Sequence, residues 1–173
     1  MNEPFNGESY RMTENKLVTT LTSLGRKPEV SERPARVRAI IINPEGTKFI
    51  GILRKREGSE PYIVFPGGGL EDSDMSYQSG VEREVEEELT NIHPGNVNYA
   101  DKVLELDDQF FLIGTIASED ISFQVGGPEK DRDPTIHGIY SPGWYPIKDI
   151  PQLNLVPQEI SMKLTDAYNK AME

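Results

Sequence analysis

The sequence predicts a mixed α/β layered fold, helices packed on a sheet, on three observations. Most of the chain from Ala35 onward reads as strands. One long helical pattern interrupts them at residues 75–89, and another, PQEISMKLTDAYNKAM at 157–172, closes the chain. With 173 residues the chain is long enough for one domain with a real core.

Residues 1–33 are polar, with one weakly periodic stretch, Leu17, Val18, Leu21 and Leu24, closed by Gly25 and Pro28. They read as an N-terminal extension holding a short amphipathic helix or an added strand, serving as a packing arm or a homodimer contact. The main domain is expected over 34–173. ARVRAIIIN, 35–43, alternates and then turns continuously apolar, the pattern of a largely buried strand. Asn43-Pro44-Glu45-Gly46 is a turn, and TKFIGILRK, 47–55, returns as the second strand of a hairpin. REGSEP is a loop. YIVF, 62–65, is a short strand running into Pro66 and three glycines. Strands are expected at 96–106, 109–117 and 121–125, with a hairpin turn at Asp107-Asp108. GGPEKDRDPTIHG, 126–138, is a polar loop, and IYSPGWYPI is strand-like. Pro157 sits near the first turn of the closing helix, where its missing N–H costs nothing.

Charge and composition exclude several function classes. Asp and Glu number 29 against 18 Lys and Arg, a formal net charge of −11. Such a chain is not expected to bind nucleic acid through a broad basic face or to sit on an anionic membrane. An anionic substrate needs local positive charge or a bridging cation. The absence of cysteine excludes thiol catalysis and a disulfide framework. MNEPFNGESYR has neither the basic start nor the apolar stretch of a signal peptide, and runs such as AIII and FFLIG are too short to span a bilayer. A cytoplasmic location is the expectation.

The chemistry concentrates in the central helix. REVEEEL packs Glu84, Glu86, Glu87 and Glu88 into five positions, although like charges three or four apart destabilise a helix. At 100° per residue, Val81, Val85 and Leu89 form a narrow core-facing stripe. Glu84, Glu87 and Glu88 fall within about 100° of one another on the neighbouring face, while Glu86 points well away, into solvent. Three converging carboxylates are a liability unless a hard cation offsets them, and an oxygen-only set suits Mg²⁺ or Mn²⁺ bridging to substrate phosphates. An isolated run of this kind is more often a solvated acidic face. This run is not isolated: PGGG precedes it, and glycine lets backbone approach a ligand closely. Arg83 adjoins the acids and can fix a carboxylate rotamer.

Together these residues resemble the Nudix family, whose signature runs Gly, five residues, Glu, seven residues, then Arg-Glu-aliphatic-x-Glu-Glu-x-Gly-aliphatic. Gly68 opens it, Asp74 stands at the first Glu, and Arg83-Glu84-Val85-Glu86-Glu87-Glu88 matches the core hexapeptide. YIVFPGGGLE is similar to the strand entering the signature loop, and WYPIKDIPQLNLVP to the way many members finish. The resemblance spans about residues 34–160. Three departures stand out: Asp74 for Glu, eight residues instead of seven before Arg83, and Thr90-Asn91 where Gly-aliphatic belongs.

The resemblance implies an α/β/α sandwich around a mixed sheet, and metal-dependent hydrolysis of a nucleoside diphosphate derivative or related pyrophosphate. It implies Glu84, Glu87 and Glu88 as ligands of Mg²⁺ or Mn²⁺, with Glu84 doubling as base, Arg83 and Asp74 structural, and Gly67 and Gly68 against the substrate. A further carboxylate from a later loop is expected, and Glu129 in GPE is the candidate. Asp107 and Asp108 are weaker ones. Arg38 and Arg54, from the basic positions 36, 38 and 54–56, are candidates for phosphate contact, and Tyr62 for stacking. Trp144 and Tyr145 also have rings to offer, Trp144 more naturally to the core. His93 and His137 lack metal-ligand spacing. The expected partner is a small phosphate-containing molecule, with no nucleic acid, no membrane and a homodimer as the candidate assembly. The competing function is a catalytically silent nucleotide-sensing module, which the irregular spacing and Thr90 favour and the three retained carboxylates oppose.

Overall fold

The computed structural model describes residues 15–89, 91–121, 123 and 139–173. A mixed sheet of seven strands carries helices on both faces. In chain order the elements are α1 (Lys16–Thr22), β1 (Arg36–Ile42), β2 (Lys48–Lys55), β3 (Tyr62–Val64), β4 (Gly67–Gly69), α2 (Tyr77–Glu88), β5 (Val97–Leu106), β6 (Gln109–Ile116), β7 (Ile139–Pro146) and α3 (Gln158–Ala171). Short 3₁₀ turns cover Pro94–Asn96 and Ile147–Gln152. The strand order is β3-β2-β1-β6-β5, with β4 against β1 and β7 against β2. This is the α/β/α arrangement expected from the sequence, and the expected strands lie within a residue or two of the observed ones. The strand expected at 121–125 is absent at Ile121 and Phe123, the two described residues there, and the polar loop at 126–138 lies outside the described residues.

Alternation along the central strands divides the core in two. On one face Val37, Ala39 and Ile41 of β1 and Phe110 and Leu112 of β6 pack with Val81, Val85 and Leu89 of α2. On the other, Ile40 and Ile42 of β1 and Phe111 and Ile113 of β6 meet Leu17 and Leu21 of α1 and Ile160 and Leu164 of α3. Residues 15–33, read as an arm, therefore pack on this chain's own core: Leu17 and Leu21 are fully buried. Asn15 caps α1, its side chain accepting from the Val18 amide. The segment after α1 then meets the β5 edge at one point, Arg26 and Val103 exchanging both backbone hydrogen bonds at 3.0 and 2.8 Å, which blocks pairing with another chain at that point.

The β1–β2 hairpin opens beyond its turn. The two strands pair at Ile42 and Phe49; farther along, β1 pairs with β4 and β2 with β3. The glycine strand is thereby wedged into the seam, Arg36, Val37 and Arg38 facing Gly69, Gly68 and Gly67. On its other edge β1 runs parallel to β6. The turn itself is organised by buried Asn43, whose Oδ1 accepts from the Thr47 and Lys48 amides, both at 2.8 Å. Asp107 and Asp108 make the β5–β6 turn, both at positive φ (51° and 58°), as a two-residue type I′ hairpin requires.

Two outcomes are expected. Asp108→Gly relieves the left-handed strain of a side chain and raises unfolding free energy by about 1 kcal/mol in urea titration. Leu21→Ala lowers it by about 2–4 kcal/mol, the range for emptying a buried leucine site; a loss below about 1 kcal/mol would show that α1 is not part of the core.

Candidate active site

The site is built where β4 passes under α2. β3 leads through Phe65 and Pro66 into the glycines, and the Pro66 carbonyl accepts from the Ala39 amide at 2.8 Å. Close approach to backbone, at a φ of +151°, requires glycine at Gly67, and at Gly68 the glycine leaves its place to the Glu84 carboxylate. A Cβ on Gly67 would lie 2.1 Å from the Val37 carbonyl oxygen, and one on Gly68 would lie 2.6 Å from a carboxylate oxygen of Glu84. The backbone of β4 therefore comes bare against the acidic helix.

The helix is aimed by its start and its stripe. Ser76 and Ser79 form a reciprocal capping box, and Val81, Val85 and Leu89 are buried as the periodicity requires. Glu84 and Glu88 are part-buried, Glu86 and Glu87 exposed. Glu88 accepts from the Gly67 amide at 2.7 Å. Arg83 lies at the centre. Its Nε and Nη2 hold the two oxygens of Asp74 at 2.8 and 2.9 Å, Nη2 also donates to the Gly69 carbonyl at 3.2 Å, and Nη1 reaches Glu84 at 3.0 Å and Glu87 at 3.4 Å. Glu71, which sequence reasoning did not single out, lies 3.5 Å from the same Nη1. Hydrogen bonds from Arg83 hold the buried Asp74 carboxyl below its usual range. Burial pushes the Glu84 carboxyl up, with Arg83 opposing. The departures in spacing fall in the loop: Asp74, one residue farther from Arg83 than the signature has it, still reaches it with both oxygens. Thr90 lies outside the described residues.

Glu86 does not point only into solvent. Its Oε2 meets the His93 ring at 3.1 Å, and both side chains are exposed. His93 is thus paired with the helix; the contact spans seven residues and leaves no periodic trace.

The basic and aromatic candidates divide. Arg38 is part-buried, donating to the Phe65 carbonyl at 3.0 Å; burial lowers its proton affinity, with the Glu88 charge opposing. The Arg54 guanidinium sits 4.5 Å from the centre of the Tyr140 ring and 5.6 Å from that of Tyr62, and donates to the Tyr140 hydroxyl. Arg54, Lys55, Arg56, Ser59 and Tyr62 line a pocket of about 120 Å³. Tyr140 was missed because it is brought in by β2–β7 register, opposite Arg54. Trp144 and Tyr145 are spent on packing: the Trp144 indole donates to the Glu119 carbonyl at 3.0 Å beside Phe123, and Tyr145 packs on Phe49. Glu129 and His137 lie outside the described residues. Asp107 and Asp108 belong to the β5–β6 turn.

The donor set suits a hard divalent cation: carboxylate oxygens only, beside the glycine backbone of β4. In the rotamers described, Glu84 and Glu87 turn to Arg83 and Glu88 to the Gly67 amide. Among the described residues no three acidic or histidine side chains converge as a ligand group.

Comparison with known proteins agrees with this architecture. The NUDIX domain profile matches residues 32–164. No curated protein matches the chain. Among solved structures, a MutT from a study of the Aliivibrio salmonicida and Vibrio cholerae proteins superposes with a TM-score of 0.52 at 18% identity, covering 80% of this chain and 99% of that one. MutT from Methanosarcina mazei Go1 gives 0.51 at 19% identity, covering 84% and 100%. A Caenorhabditis elegans Ap4A hydrolase gives 0.54 at 12% identity, covering 79% and 98%. At these identities the superpositions speak for the fold, and the profile match over most of the chain speaks for the family. The chain belongs to the Nudix hydrolase family.

Proposed function

We propose that this protein hydrolyses a nucleoside diphosphate derivative or related pyrophosphate, using Mg²⁺ or Mn²⁺ held by Glu84, Glu87 and Glu88. The observation that carries the reading is the meeting of Glu84 and Glu88 with the bare backbone of Gly67 and Gly68. A bound cation there supplies charge neutralisation of the phosphate oxygens and Lewis acidity. The rest falls to side chains of the chain itself. Glu84, whose proton affinity burial raises, is suited to accept a proton from the attacking water. Glu129 is a second candidate for that step. Glu87, exposed and with the longest of the carboxylate hydrogen bonds to Arg83, is the acid most readily turned towards a ligand. Arg38, a part-buried cation that feels the Glu88 charge, is the candidate to meet phosphate. The pocket at Arg54, Lys55, Arg56, Ser59 and Tyr62 suits the far end of the substrate, its three adjacent cations favouring a further anionic group. The irregular signature spacing favoured a silent sensing module. Arg83 and Asp74 still pair through both oxygens, so the spacing no longer argues for that reading.

Chelation is the first test. Turnover of a panel of nucleoside diphosphate sugars, nucleoside triphosphates and dinucleoside polyphosphates such as Ap4A should appear with Mg²⁺ or Mn²⁺ and vanish in excess EDTA. Turnover that survives the chelator contradicts the proposal.

The second test compares two faces of α2. Glu88→Gln keeps an acceptor for the Gly67 amide but removes a charge, and kcat should fall by roughly two to four orders of magnitude. Glu86→Gln makes the same change at the exposed His93 contact and should leave kcat within about threefold, as exposed pairs contribute little. Equal losses would show that the metal face is misassigned.

A further inference from the structure

We infer that Arg33, from the segment before the first strand, is a positioning residue that clamps the signature loop and through it sets the acidic cluster; the catalytic part of this claim rests on the function proposed above. Arg33 is exposed and makes no ion pair among the described residues. An exposed arginine of that kind is ordinarily solvated. This one commits both terminal nitrogens to main chain, Nη2 to the Glu71 carbonyl at 2.6 Å and Nη1 to the Asp74 carbonyl at 3.0 Å.

Those carbonyls are the two ends of one turn. The Asp74 amide donates to the Glu71 carbonyl at 3.0 Å, and the Glu71 amide donates to Asp74 Oδ2 at 2.8 Å. Arg33 bridges the turn from outside through its carbonyls, while Arg83 holds it from inside through the Asp74 carboxylate. The turn ends on Asp74, where the stretch of eight residues before Arg83 begins, one more than the signature has, so the start of that longer stretch is tied down from a segment that precedes the signature. The base of the clamp is itself fixed. Pro34 is buried, the Ala35 amide donates to the Asp108 carbonyl at 2.9 Å, and the Ala35 carbonyl accepts from Leu70 at 3.1 Å. A continuous series of contacts therefore runs from Arg33 through the turn to Asp74, then Arg83, then Glu84. Lysine cannot replace arginine here, because one ammonium does not fork across two carbonyls in fixed geometry.

The test reads the loop directly as well as through turnover. In Arg33→Ala, amide exchange at residues 70–76 should quicken about 10-fold or more with the melting temperature within about 2 °C of wild type, as expected for local and not global opening. On any substrate that wild type hydrolyses, kcat should fall about 10-fold with KM nearly unchanged, the size of loss seen when groups behind metal ligands are removed. Arg33→Lys should behave like Arg33→Ala, and tens of millimolar guanidinium should restore part of the activity to the alanine variant only. Lys27→Ala, at an exposed pair on the same segment, should alter none of these. Unchanged exchange at 70–76 in Arg33→Ala overturns the clamp whatever the activity. Quickened exchange with undiminished kcat overturns its link to the acidic cluster. If wild type hydrolyses nothing on the panel, the function proposal fails, and the exchange result still decides the clamp.

Discussion

One guanidinium holds the site together. Arg83 stands amid Asp74, Glu84, Glu87 and Glu71 and also reaches the Gly69 carbonyl. Without a cation at that point, part-buried carboxylates one turn apart on a helix would repel each other and turn out to solvent. Hydrogen bonds between charged groups contribute about 1.5–3 kcal/mol each, more than the few tenths lost to like charges at helical spacing. The planar fork also sets geometry. Two oxygens of Asp74 occupy one edge of it, which orients the remaining nitrogen towards the helix acids, and a lysine offers no such constraint.

That cluster can exist only because the sheet brings bare backbone beneath it. β4 enters the seam where the first hairpin opens, and its pairing with β1 places Gly67 and Gly68 under Glu88 and Glu84. One face of the core fixes α2 from below through Val81, Val85 and Leu89, so the acidic face is presented at a defined angle and not merely exposed. Rigid elements on both sides of a charged cleft are what keep reacting groups in register. The N-terminal segment belongs to the same construction. It packs on the core, bridges the β5 edge at Val103 and ends on the signature loop.

Charge is distributed unevenly to match. A chain with a net charge of −11 repels phosphate at long range. Arg38, Arg54, Lys55 and Arg56 concentrate positive charge at the β2–β3 end of the sheet, and Arg54 is steadied between two tyrosine rings. Local cations and a divalent ion can hold an anion that the overall field disfavours.

Local pattern determined a good deal by itself. The 3.6-residue period of α2 alone separated Val81, Val85 and Leu89 from the carboxylates, and alternation passing into a continuous apolar run marked β1, because both depend only on near neighbours in the chain. The family signature named Arg83, Asp74 and the three glutamates despite the added residue. Contacts between distant segments were left to the tertiary structure. Three glycines carry no strand pattern, so β4 appears only once β1 is beside it. Tyr140 reaches Arg54 through strand register, His93 reaches Glu86 around the end of a helix, and Trp144 turns to a backbone carbonyl because Glu119 is brought to it. Arg33 looked like part of a polar arm. Its role is set by a turn some forty residues on, and hydrogen bonds of that reach depend on where the folded chain places a carbonyl, which no spacing along the sequence encodes.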